Sequence, residues 1–388
     1  MKKHYWVYIL FLLLGLSFSF TGCGGGGNSD NNNNNNGGDT SGWTALGSPG
    51  FSTSAVDQTS MAIDGNNTPY VVYADNGADG KATVMKYSDG EWITVGDPGF
   101  SDGSIHYPSI VIDKNGTPYV AYEDLYNGCK ATVMKYSGGN WTVVGNAGFS
   151  DGSVGYLTIA LDNNSTPYVV YQDNFDTHQK ATVMKYDSAT ETWKPVGTPR
   201  FSGGETRDTR IAIDGSGTVY VVYEDFSDVT KGGATVMKYQ SSDGWSIVGN
   251  QWFSIGKIGP PSIAVDGSGM LFVVYYDFLS MGSNVMKFSS DTWTAVGSPP
   301  ISTGGTDYDT IAIDNSGALY VAYKDYANDF KATVMKYSNG TWTPLGDPGF
   351  SAGWANYTSI ALDTNGVPYV AYVDYANNQK ITVMKYNP

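Results

Sequence analysis

Seven tryptophans, Trp43, Trp92, Trp141, Trp193, Trp245, Trp293 and Trp342, recur at intervals of 48 to 52 residues. Each opens a unit that reads approximately W-T-x-V-G-x-P-G-F-S, then S-I-A-I-D-x-x-G, then P-Y-V-V-Y-x-D, then K-A-T-V-M-K-Y. A fixed period near fifty residues with strand-like content marks a repeat architecture, in which each unit buries its apolar surface against its neighbours.

Within residues 58 to 97, the runs Ser60 to Asp64, Pro69 to Asp75 and Ala82 to Tyr87 are rich in β-branched and aromatic residues and are separated by Gly, Asn and Asp. Three strands are expected there, with Trp92 to Gly96 as a fourth. None has the length or the 3.6-residue period of a helix. Neither face of such a meander alternates cleanly between polar and apolar, so both faces must be covered. Side chains grow from small in the first strand (Ala62, Ala160, Ala212, Ala264, Ala312, Ala361) to Trp in the fourth. That gradient suits sheets stacked around an axis, where the gap between neighbours widens with radius, and it specifies an all-β, seven-bladed β-propeller with four antiparallel strands per blade. The array enters on a fourth strand, Trp43 to Gly47, and leaves on a third, Ile381 to Tyr386, so the N-terminal strand is expected to join the last blade and close the ring.

The units S-I-A-I-D-x-x-G-x-x-Y-V-V-Y resemble the NHL-type and related bacterial β-propeller repeats over residues 43 to 388. The resemblance implies a propeller with a binding or scaffolding role, and it carries over no catalytic residues.

Residues 1 to 22 differ in kind: Lys2 and Lys3 precede an apolar run from Tyr5 to Phe20, followed by Thr21-Gly22-Cys23. This reads as an export signal, too short for an ordinary spanning helix. Phe-Thr-Gly-Cys resembles a bacterial lipobox, which implies cleavage before Cys23, lipidation of its thiol, and a place in the bacterial cell envelope at the outer membrane or cell surface. Residues 24 to 42 are Gly, Asn, Ser, Asp and Thr with no apolar content and are expected to form a disordered tether. Nineteen such residues span roughly 25 Å on average and on the order of 60 Å when stretched.

The formal net charge is -15, and loss of Lys2 and Lys3 with the signal takes it to about -17. So acidic a body disfavours nucleic acid and anionic surfaces, leaving the lipid as the expected membrane contact and a monomer as the expected state. Besides Cys23 the chain has only Cys129, so no disulfide staples the array, and Cys129 reads as a loop residue.

Two aspartates occur in every unit. Asp64, Asp113, Asp162, Asp214, Asp266, Asp314 and Asp363 each precede a Gly- or Asn-containing turn, where a carboxylate accepts backbone N–H bonds. Asp75, Asp124, Asp173, Asp225, Asp277, Asp325 and Asp374 each end the second strand. Lysines such as Lys81 and Lys130 open the third strand and others such as Lys86 and Lys135 lie further along it, so charge pairing at strand ends is expected for both sets. A carboxylate repeated seven times reads as architecture rather than seven metal sites; the best calcium-like segment, Asp75 to Gly80, lacks a third ligand and a closing Glu. No cofactor or metal is expected.

Catalytic chemistry is sparsely supplied. Beyond the signal the chain has His106 and His178 only, with neither a nucleophile elbow nor H-E-x-x-H. Arg200, Arg207 and Arg210 all fall in one unit, which excludes an arginine triad drawn from separate blades.

Comparison among the seven units locates variation. The connection after the second aspartate and the connection after Phe-Ser vary freely, and in an up-down-up-down blade both emerge on one face. That face carries Tyr107, Tyr126, Tyr156, Phe175, Phe226, Phe278, Tyr308, Tyr326, Trp354 and Tyr375 among acids and amides. Loops on a rigid scaffold with exposed aromatics suit protein or carbohydrate contacts. Where the first strand starts, six units have Ser or Thr and the fourth has Arg210, placed near the channel mouth beside Glu205, Arg207 and Asp208, where an anionic ligand group could use it. The expected role is a lipid-anchored propeller binding a protein or glycan on its varied face. A multivalent lectin with sites between blades, or a carboxylate-based polysaccharide hydrolase or lyase, is the alternative.

Overall fold

The computed structural model describes residues 42 to 388 apart from 176–178, 229–231 and 255. The signal, Cys23, all of the tether but its last residue, and His178 lie outside the described residues. Seven four-stranded antiparallel sheets form a ring, a seven-bladed β-propeller. In the first blade the strands are Val56–Ile63, Pro69–Asp75, Lys81–Ser88 and Glu91–Thr94. The last blade is built from Ala355–Leu362, Pro368–Asp374 and Lys380–Asn387, and its fourth strand is the N-terminal Gly42–Ala45. Trp43 stands opposite Tyr386 in that pairing, so the ring closes as the offset ends require.

Apolar burial is divided into seven clusters, each formed by residues of two adjacent blades. The second strands run down the middle of each interface, and Val71, Val72, Val120, Val169 and Val221 have no exposed surface. The tryptophans join the blades at larger radius. Each indole Nε1 donates to a backbone carbonyl of the preceding blade at 2.7 or 2.8 Å, as Trp92 does to Leu46 and Trp141 to Val95. Six also stack on the Phe of a G-F-S or equivalent segment, with Phe51 on Trp92 at 4.2 Å and Phe350 on Trp43 at 4.4 Å. The glycine that ends each fourth-strand motif is required by this contact: at Gly96 (φ 73°) a Cβ would fall 2.9 Å from Tyr136 and 3.0 Å from Trp141.

The aspartates separate into two structural roles. Asp64 Oδ1 accepts the N–H groups of Asn66 and Thr68, closing the turn as expected, and the other six units repeat this. Among the described residues the second set does not pair with lysine. These carboxylates are buried, and in six blades Oδ2 accepts the hydroxyl of the threonine on the third strand, Thr83 for Asp75 at 3.0 Å and Thr382 for Asp374 at 2.7 Å; in blade five Asn284 takes this place. A carboxylate so deep is better served by short hydroxyl and amide donors than by a lysine that would have to be desolvated with it. Among the described lysines that lie within third strands, only Lys185 pairs with a first-set aspartate, Asp162, at 3.7 Å.

Candidate functional site at the channel mouth

The first strands begin about four residues earlier than their β-branched runs suggest. In six blades the added segment contains a β-bulge at which the register to the second strand slips by one residue. The bulged residue takes a left-handed conformation: Gln58 (φ 49°), Tyr107 (50°), Tyr156 (50°), Asp208 (50°), Tyr308 (57°) and Tyr357 (53°). Pro260 holds the seventh position, and its ring forbids a positive φ, so blade five has no such bulge and its first strand starts only at Ser262. A left-handed non-glycine residue costs about 1 to 2 kcal/mol, and six of them in one circle are retained where the surrounding structure fixes them.

These residues surround the mouth of the central channel on the varied face, around a cavity of about 240 Å³. Tyr107 and Tyr156 form one ring pair, with centroids 5.3 Å apart, and Tyr308 and Tyr357 form another at 4.6 Å. The bulges are tied together from blade to blade. Gln58 Oε1 accepts the Tyr107 N–H, Thr209 Oγ1 donates to the Tyr156 carbonyl at 2.7 Å, and Thr358 Oγ1 donates to the Tyr308 carbonyl at 2.6 Å. Below them Ser60, Ser109, Ser262 and Ser359 each accept a backbone N–H from the next blade, as Ser359 does from Met61 at 3.1 Å.

Arg210 stands where those serines stand. It lines the cavity rather than the outer surface, and its Nη1 donates to the Thr209 carbonyl at 3.0 Å. Burial pulls its pKa down and the Asp208 carboxylate opposes that shift. Burial in turn holds Asp208 above the usual carboxylate range, against the pull of Arg210 and Arg207. Burial also raises the phenols of Tyr107, Tyr156, Tyr308 and Tyr357, the last to about 12, so at neutral pH this ring offers hydroxyl donors and aromatic faces rather than a phenolate base.

Of the residues named from the sequence, Tyr107, Tyr156, Tyr308, Asp208 and Arg210 come together at this cavity. Arg207 and Glu205 pair with each other at the rim, Nη2 to Oε1 3.0 Å, and Arg207 lies over Phe226 at 4.8 Å. Tyr326, Trp354 and Tyr375 gather with Phe330 on blades six and seven. Lys324 Nζ sits 6.0, 5.4 and 5.8 Å from the rings of Tyr326, Phe330 and Trp354 and donates to Asn356 Oδ1 at 2.7 Å. Tyr126, 72% exposed, lines neither the mouth cavity nor this cluster. Sequence reading passed over Tyr357, Gln58, Phe330 and Lys324. The first two were accessible by aligning the units two residues before the Ser/Thr/Arg position.

His106 Nδ1 lies 3.2 Å from Glu123 Oε2, which raises the histidine pKa. Burial and Glu123 together push the Cys129 thiol up, so it is not poised as a thiolate. Among the described residues no group of three His, Cys, Asp or Glu side chains could hold a metal. A larger groove of about 830 Å³ lies between blades three and four on the uniform face, but its walls are mainly repeat consensus residues such as Tyr168, Lys185, Gly197 and Tyr239. The mouth cavity gathers the departures from the repeat.

No family model matches the chain, and neither does any curated protein sequence. Solved structures share the fold at low identity. A fungal alcohol oxidase of the AA5 family, in complex with copper, is 12% identical with a TM-score of 0.60, over 89% of this chain and 75% of that one. A PL25 ulvan lyase is 13% identical with a TM-score of 0.57, over 87% and 94%. The SapL1 lectin in complex with α-methyl fucoside is 17% identical with a TM-score of 0.52, over 78% and 99%. At these identities the likeness establishes the β-propeller and nothing about residues.

Proposed function

We propose that this protein is a carbohydrate-binding propeller that holds one glycan per chain at the channel mouth of its varied face, tethered to the cell envelope through a lipidated Cys23. The observation that carries the reading is the bulge circle: four tyrosines in strained backbone, paired as Tyr107–Tyr156 and Tyr308–Tyr357 around one polar cavity. Aromatic faces stack on the C–H surface of a sugar, and the phenols, Asp208 and Arg210 bond its hydroxyls. The SapL1 lectin and the ulvan lyase, which share the fold, handle carbohydrate, and this supports the class of ligand. Raised phenol pKa values favour binding over base-catalysed elimination. A glycan array with the purified protein, followed by calorimetry of each hit, tests the reading. One site per chain supports it; seven per chain would move the sites to the blade interfaces, and a protein ligand with no glycan hit would overturn it.

A further inference from the structure

Blades five and six meet differently from the rest. The residue before the Ser/Thr/Arg position is Thr59, Pro108, Leu157, Thr209, Pro261 and Thr358 in six units and Asp309 in the remaining one. The second residue of the third strand is alanine in five units and isoleucine in one, but Ser283 in blade five. The two changes meet in space. Asp309 Oδ2 accepts the Ser283 hydroxyl at 2.8 Å and the Thr306 hydroxyl at 3.2 Å, and those hydroxyls lie 2.7 Å apart. All three residues are buried. Asp309 Oδ1 is also buried and has no hydrogen-bond partner. Elsewhere the Ser283 position is Ala or Ile and the Asp309 position is Thr, Pro or Leu, so at this junction alone a carboxylate and a matching hydroxyl replace uncharged packing, with one acceptor left over.

Space exists beside it because of Gly259-Pro260-Pro261. Pro260 removes the bulge and Gly259 removes a side chain, leaving a cavity of about 290 Å³ walled by Pro260, Tyr276, Phe278, Asp307, Asp309 and Tyr326. Asp309, Pro260 and Tyr308 line both this cavity and the channel mouth, so the two lie side by side with a shared wall. The electrostatics select the occupant. Arg210 attends Asp208 and Lys324 attends Asp307, whereas the groups acting on Asp309 are the Ser283 and Thr306 hydroxyls and the like-charged Asp307. Among the described residues no cation compensates it. A buried carboxylate beside aromatic faces suits an organic ammonium, which supplies both counter-charge and N–H donors.

We propose that the cavity between blades five and six takes a primary ammonium group with Asp309 as its counter-ion, so that the glycan of the channel mouth bears a free amine. This rests on the glycan reading, and the test separates the two. Calorimetric titration of the purified protein near neutral pH compares a glucosamine tetramer with its N-acetylated counterpart, and propylammonium with propanol. The expected result is a preference of roughly tenfold or more for each amine over its neutral partner. Asp309→Asn, close in shape and free of the buried charge, should abolish both preferences; the wild-type comparison stands even if that variant folds poorly. Equal binding of the two tetramers overturns the ammonium site while leaving the glycan reading intact. Asp309-dependent binding of propylammonium, with neither tetramer bound and no hit on the glycan array, supports the ammonium site and overturns the glycan reading. Absence of binding by both amines overturns the site.

Discussion

The Trp43 indole donates to the Leu345 carbonyl at 2.7 Å across 302 positions of sequence, the same bond that Trp92 makes to Leu46 between the first blade and its predecessor. The closing blade therefore uses the same lock as every other junction.

Removing that lock should open the ring. Deleting residues 43 to 58 exposes the third strand Lys380–Asn387 as an unpaired edge, and Trp43→Ala loses a stacked, hydrogen-bonded indole worth about 3 to 5 kcal/mol. Scanning calorimetry and light scattering should show a lower melting temperature and self-association. A monomer of unchanged stability would contradict closure through this strand.

Tyr308→Ala should weaken glycan binding by roughly 1 to 3 kcal/mol while leaving the blade intact, because the Thr358 bond goes to the Tyr308 carbonyl and not to its ring. Asn66→Ser and Asn315→Ser, in exposed turns of the opposite face, should leave affinity unchanged. Equal losses from both faces would remove the channel mouth from consideration.

Arg210→Ser gives blade four the hydroxyl that four other blades use to bind their neighbour, but it strips Asp208 of the larger of its two compensating charges. Affinity should fall by roughly 1.5 to 3 kcal/mol for the lost charge-assisted bond. The single variant should also melt lower above neutral pH, and Asp208→Asn with Arg210→Ser should recover the wild-type melting temperature. Unaltered affinity in the double variant would exclude Arg210 from the ligand site.

Burial pushes Asp309 up to about 7, with Asp307 adding to the shift and the Ser283 and Thr306 hydroxyls opposing it. Tyr323 and Tyr326 also face it and stay protonated in this range. The folded chain thus holds a proton that the unfolded chain has released above about pH 4, and the stability due to this group is full below that pH and lost as pH rises through 7. Glu224, also raised to about 7 by burial, acts in the same direction. Asp309→Asn should flatten the decline in melting temperature between about pH 5 and 8 and stabilise the protein by a few kcal/mol at the upper end. An unchanged slope would show that Asp309 ionises freely in the fold.

Cys23→Ser should release the propeller from membranes, since the lipid is the expected anchor and no described helix is long and apolar enough to cross one. Mutant protein that still sediments with membranes after a high-salt wash would refute lipidation as the sole attachment.

Blade number, strand order and closure were legible because tryptophan spacing and β-branched runs record backbone period directly. The bulge circle was not, since Asp57-Gln58-Thr59 and His106-Tyr107-Pro108 carry no alternation that distinguishes a strand from a loop. The second aspartates were misassigned to lysine because charge is conspicuous in a sequence. Their true partner, the threonine of K-A-T-V, is an ordinary strand residue until the register places it beside a carboxylate. Asp309 escaped for a related reason: its meaning depends on Ser283 in the preceding blade, a pairing that no single unit contains.

At Tyr156 and Tyr308 the left-handed bulge is held by main-chain register and by threonine contacts to main-chain carbonyls, so the side chain displayed there is free to change without reshaping the backbone, whereas Gln58 spends its side chain on the Tyr107 N–H. Tyrosine, glutamine and aspartate already occupy the same φ within 10° of one another. The channel mouth thus contains sockets whose side chains are not used to hold the fold, and selection could exchange one ligand for another there by altering a few codons, with the blades beneath left untouched.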